Sequence, residues 1–160
     1  MTSSLRTAPL YPSLYQINTR VWLTELSQRL GCRATLDDIP DAELERLAEM
    51  GFDWIWFLSV WQTGLVGQQV SRSNHEWRKE FEDTLPDLKE KDIAGSGFAI
   101  NGYTVHRDLG GDEALARLRE RLRKRGLLLL LDFVPNHMAP DHPWVEDHPD
   151  YFVGRTELDL

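Results

Sequence analysis

A carboxylate, an amide and an imidazole stand close together in the run Asp132-Phe-Val-Pro-Asn136-His137. The first can accept hydrogen bonds or oppose a developing positive charge, the second offers an oxygen to a hard cation, and the third can donate or accept a proton. Immediately before them, the five leucines of residues 127–131 stop at the carboxylate. A short, unbroken apolar run is the pattern of a strand covered on both faces, as in parallel sheets flanked by helices. The run therefore predicts a buried strand that delivers Asp132 at its C-terminal end. Pro135 forces Val134 into an extended conformation and fixes the exit from that strand. Strand-end polar clusters of this kind are where α/β folds bind ligands.

The elements around this run support the same reading. Residues 112–125 carry Leu115, Leu118 and Leu122 on one helical face, with Asp112 and Glu113 in the first turn and Arg121, Arg123, Lys124 and Arg125 in the last. That distribution matches the helix dipole at both ends, and Gly126 follows as a stop. Upstream, Asp41 is expected to cap a helix bearing Leu44 and Leu47, Gly51 to end it, and residues 52–61 to form a second apolar strand. Residues 15–21 read as a first strand and 22–30 as a helix ending at Gly31. The order βαβαβ argues for a parallel sheet with right-handed crossovers. An open doubly wound sheet and a (β/α)8 barrel both fit it. The loops lean toward the barrel, since 50 residues separate Trp61 from Asp112 and excursions of that size are usually functional. Within the excursion, Trp77, Phe81 and Leu85 predict a short helix from Asn74, and Gly95 to Gly97 and Asn101-Gly102 predict turns on either side of Phe98 to Ile100.

Composition narrows the function. The chain has 160 residues, a formal net charge of -8 and a hydrophobic content of 41%. An acidic balance disfavours nucleic acid and anionic membranes as partners, and the basic run of residues 117–125 reads as a solvated helix face. No stretch approaches the ~20 apolar residues of a membrane span, and residues 1–13 lack the apolar core of a signal peptide. A cytoplasmic protein is expected. Cys32 is the single cysteine, so no disulfide within the chain can form. The spacings of His106, His137, His142 and His148 match no compact zinc pattern. Trp54 and Trp56 are expected to pack in the core, with Trp61, at the exit of its strand, as the candidate exception.

The run 132–137 resembles the first signature region of the α-amylase superfamily, glycoside hydrolase family 13. Two further segments fit in register: Gly102-Tyr103 ahead of Asp108 resembles the family's Gly-Tyr element, and Gly51-Phe-Asp-Trp-Ile-Trp56 resembles the start of its second barrel strand. The resemblance spans residues 15–152. It implies the N-terminal part of a (β/α)8 barrel, about three βα units over residues 1–137, truncated in residues 138–160 at the start of the loop domain after the third strand. It also implies a retaining enzyme acting on an α-glucan or other oligo- or polysaccharide, by hydrolysis or transglycosylation. Carried over, Tyr103 would stack on the sugar, His137 would hydrogen-bond its primary hydroxyl, and Asp132 would support the site from the strand end. Asn136 would ligate calcium in those members that bind the ion.

The nucleophile of that family lies in a Gly-x-Arg-x-Asp segment, with a glutamate acid/base further on, and this sequence contains no such segment. Two carboxyl groups roughly 5 Å apart are needed for retaining hydrolysis. The 160 residues alone are therefore expected to lack turnover. The alternative is a stand-alone carbohydrate-binding or interaction module that uses Tyr103, His137 and Trp61 without catalysis.

Overall fold

The computed structural model describes residues 9–154. The expectations that fall on residues 1–8 and 155–160 lie outside the described residues. Five strands, β1 (Leu14–Asn18), β2 (Trp54–Leu58), β3 (Trp61–Thr63), β4 (Ile100–Val105) and β5 (Leu128–Leu130), alternate with α1 (Thr19–Leu30), α2 (Asp41–Glu49), α3 (Leu65–Ser73), α4 (His75–Thr84), α5 (Gly111–Lys124) and α6 (Trp144–Asp147). They fall into two units, Met1–Val60 with Arg107–Asp132, and Trp61–His106 with Phe133–Leu160.

The first unit is a parallel α/β sheet in the order β1-β2-β5. Ile55 and Phe57, on one face of β2, are fully buried, whereas Trp54, Trp56 and Leu58 on the other are half-buried. Leu118 and Leu122 of α5 and Leu44 and Leu47 of α2 complete the core at 0–1% exposure, as their helical spacing predicts. The leucine run is shorter and less covered than expected. Only residues 128–130 form the strand, Leu128 is 44% exposed, and among the described residues β5 pairs on one side only, with β2. An edge strand leaves one side of its backbone unpaired and gives its side chains fewer neighbours to cover them.

Helix boundaries differ for identifiable reasons. Helix α1 starts three residues earlier than periodicity suggests, because Asn18 accepts from the Val21 amide as its N-cap. Asp41 is the first residue of α2 rather than its cap; Pro40 precedes it, with no side-chain cap. The basic face of α5 is not merely solvated. Arg117, Arg121 and Arg125, one turn apart, reach Asp37, Asp41 and Glu45 at 2.7–2.9 Å, and Arg121 also donates to the Ile39 carbonyl. The Arg117 hydrogen bond holds the Asp37 carboxyl below its usual range. These pairs, open to solvent on their carboxylate side, fix α5 against α2 and the segment ahead of it more than they add stability.

The second unit holds the antiparallel ribbon β3-β4, helices α3, α4 and α6, and the chain from Phe133 onward. Asn74 caps α4 by accepting from the Glu76 and Trp77 amides, as expected. Asn101-Gly102 is not a turn. Both residues lie inside β4, where Gln62 pairs with Gly102 across an irregular register and Gly102 has φ 154°. Glycine within a strand often marks such a bulge, and the dipeptide alone does not tell the two apart.

Helix α3 is capped from a distance. Gly64 precedes it with no side chain to offer, and the Asp141 carboxylate accepts from the Leu65 and Val66 amides at 2.8 and 3.4 Å. A Cβ on Gly64 would overlap the Asp141 carboxylate and lie 2.5 Å from the Ala139 methyl. Gly64→Ala should therefore destabilise the fold by about 1–3 kcal/mol through overpacking, and Asp141→Ala by ~1 kcal/mol through the lost cap. Urea unfolding of each variant checks this; an unchanged midpoint for both would remove the remote cap from the argument.

Candidate functional site

In the first unit, Asp132 stands two residues beyond β5 and is 8% exposed. One carboxylate oxygen accepts from the Trp56 indole Nε1 at 2.8 Å and the other from the Ser59 backbone amide at 2.5 Å. Both donors come from β2 or its exit. Trp56 stands opposite Leu130 in the parallel register, which brings its indole to the end of β5. Ser59 has φ 63°, the one positive φ outside glycine among the described residues. A left-handed serine costs about 1–2 kcal/mol relative to ordinary backbone, and the turn it makes presents the amide to Asp132. Strain of this kind persists only where surrounding structure over-determines it, and it concentrates at functional sites.

In the second unit, Tyr103 is the centre of an aromatic row. Its ring meets Trp61 edge-on at 5.3 Å and stacks with Phe133 at 5.9 Å and 26°. Its hydroxyl accepts from the Val134 amide at 2.8 Å, which ties the segment after Asp132 to β4. Tyr103 remains 42% and Phe133 77% exposed, so a rigidly held apolar surface faces solvent. Such a surface suits the C–H faces of a sugar ring. Asn136 and His137 are exposed in the same unit, with the amide Nδ2 3.4 Å from the imidazole Nδ1.

The structure thus brings Tyr103 and Trp61 into contact within the second unit, and sets Asn136 beside His137 there, while Asp132 belongs to the first. Trp56, Ser59 and Phe133 were missed. Trp56 looks like a core residue from its strand, and nothing in a serine's identity announces a positive φ. Phe133 could have been found, since it alternates with Val134 directly after Asp132. For calcium, Asn136 is the only ligand the signature supplies. Among the described residues no group of three His, Cys, Asp or Glu side chains is placed to hold a metal, so these residues do not by themselves fit the ion.

The model of the α-amylase catalytic domain matches residues 35–157. The chain belongs to that family. Among curated relatives, the α-1,4-glucan:maltose-1-phosphate maltosyltransferase of Salinibacter ruber is 34% identical over 132 residues, covering 79% of this chain and 19% of the relative. The Burkholderia pseudomallei protein of the same name is 31% identical over 97% of this chain and 12% of its own length. The chain therefore spans less than a quarter of these relatives. Among solved structures, an α-amylase from Lactobacillus plantarum superposes with TM-score 0.63 at 22% identity, over 89% of this chain and 27% of that one. A maltogenic α-amylase from Thermotoga neapolitana gives TM-score 0.63 at 21% identity, over 91% and 28%. At those identities the likeness concerns the fold, part of an α-amylase barrel. No helix among the described residues is long and apolar enough to cross a membrane.

Proposed function

We propose that this family member is the Asp132-bearing part of a retaining, α-glucan-active transglycosidase or hydrolase, with maltosyl transfer the activity that the relatives' names favour. In this reading Tyr103, flanked by Trp61 and Phe133, stacks on a glucose ring, and His137 hydrogen-bonds the primary hydroxyl of that ring. Asp132, fixed by Trp56 and Ser59, supports the reacting sugar from the strand end. The enzyme works in the cytoplasm on soluble glucan, without nucleic acid or membrane as partner. Residues 1–137 contribute the first βα units of the barrel and 138–160 open the loop domain after the third strand. The 160 residues have no turnover alone, since the sequence offers no nucleophile and acid/base pair at the spacing that retention needs.

The observation that carries the reading is the exposed Tyr103 ring held between two other aromatics and pinned through its hydroxyl. Calorimetric titration of the full-length protein with maltoheptaose tests it. Tyr103→Ala should weaken binding at least about tenfold, the loss of a stacked ring, while Tyr103→Phe keeps most of the affinity. Equal affinity for wild type and Tyr103→Ala would sink the assignment. Maltosyl transfer from maltose-1-phosphate by the pure 160-residue chain would overturn the claim of inactivity.

A further inference from the structure

We propose that Trp144, His148 and Tyr151 form a second contact for the α-glucan chain, apart from the Tyr103 row; the proposal rests on the glucan reading above. Their rings make one cluster within the second unit. His148 and Tyr151 stack at 4.8 Å and 10°, and Trp144 meets them at 88° and 83°, with centroids 6.4 and 5.7 Å away. All are exposed, Trp144 by 44% and Tyr151 by 62%. Ordered rings left in water form an apolar platform with a polar tip on each.

The platform is anchored from its inner side. His142 is 8% exposed, its ring meets the indole at 5.2 Å and 72°, and its Nδ1 accepts from the Trp144 backbone amide at 3.1 Å. The His142 amide donates to the Ala139 carbonyl at 3.0 Å, and the Ala139 amide donates at 2.8 Å to the carbonyl of Ile100, the first residue of β4. Tyr103 stands on that same strand. The two aromatic groups share no ring contact, yet one frame carries both.

The chemistry of the cluster selects the ligand. Centroids 4.8–6.4 Å apart mean rings in mutual contact, with no cage for a cation between them, so a ligand lies on the outer faces. Residues 138–154 contain no Lys or Arg, while Asp141, Glu146, Asp147 and Asp150 are acidic, which disfavours a phosphate or nucleic-acid ligand. A neutral ring with C–H faces and a rim of hydroxyls fits both the apolar faces and the polar tips. Each glucose unit of a glucan is such a ring. On a polymer, a second contact strengthens the first by raising its local concentration.

The test is native electrophoresis of the full-length protein through gels containing glycogen, with calorimetric titration of maltotriose on the same samples. Glycogen should retard wild type. Trp144→Ala should weaken that retention about fivefold or more, the scale of a lost aromatic contact, and keep maltotriose affinity, whereas Tyr103→Ala should weaken maltotriose. Trp77→Ala removes a ring of similar exposure, 43%, from α4 and should change neither. Tyr151→Ala should act as Trp144→Ala does, and it decides if Trp144→Ala does not fold. Unchanged retention in both variants, or an equal loss in Trp77→Ala, overturns the second contact. So does an equal loss of maltotriose affinity in Trp144→Ala, which makes the cluster part of the Tyr103 site. Wild type that binds maltotriose but ignores glycogen overturns the second contact alone; wild type that binds neither overturns the glucan reading with it.

Discussion

Phe57→Ala is expected to lower the unfolding free energy by about 3–5 kcal/mol, the cost of deleting a fully buried aromatic side chain. Phe57 is fully buried on β2, the strand paired on both sides, and its ring centroid lies 6.1 Å from that of Trp22 on α1. The backbone at Phe57 is held in register with Ile17 of β1, which limits how far the site can collapse. The transfer term and the cavity term therefore both appear. Trp77→Ala on α4 is the control: that ring is 43% exposed, and its removal should cost under ~1 kcal/mol. Urea unfolding of the two variants measures the contrast. If Phe57→Ala stayed within ~1 kcal/mol of wild type, the face of β2 bearing Ile55 and Phe57 would not be the core of the first unit.

Asp132→Ala should be the most damaging change at the candidate site. It leaves the buried Ser59 amide without its 2.5 Å acceptor and the Trp56 indole without its 2.8 Å one. Stranding two donors should cost about 2–4 kcal/mol, and it removes what holds Ser59 in its left-handed conformation. Ser59→Gly separates strain from function: glycine keeps the amide, tolerates φ 63° and should be neutral or stabilising by up to ~1 kcal/mol. Because Trp56, Ser59 and Asp132 share one network, Trp56→Phe and Asp132→Ala should be non-additive in a double-mutant cycle, by ~1 kcal/mol or more. On the glucan reading proposed above, turnover of α-glucan by a full-length protein carrying Asp132→Ala should drop at least about a hundredfold, the scale of losing a preorganised charge beside a reacting sugar. Wild-type turnover by a folded Asp132→Ala variant would reduce the carboxylate to a structural tie between strand ends.

Local order produced the legible features. Helix α5 could be read because Leu118 and Leu122 repeat at helical spacing and Gly126, at φ 75°, ends the turn. The cap at Asn74 was equally visible, since its acceptor meets amides two and three residues on. The parallel order of β1, β2 and β5 followed from helices lying between apolar runs. The ribbon β3-β4 was not legible. Its partners are 37 or more positions apart, its register slips twice, and its glycine sits in a dipeptide that usually marks a turn. The spacing of Arg117, Arg121 and Arg125 was visible, but their carboxylate partners lie 80 residues away.

By itself, then, the sequence determined the alternation of helices and strands, the arrival of Asp132 at a strand end, and the family, because each rests on short local segments, the family on three of them in register. Only the tertiary structure decided how Asp132 is held, which rings flank Tyr103, and that Asp141 caps α3. Those contacts join segments up to 76 residues apart. A hydrogen-bond partner at such a distance is chosen by the meeting of whole elements, and no local pattern of residue types encodes that meeting.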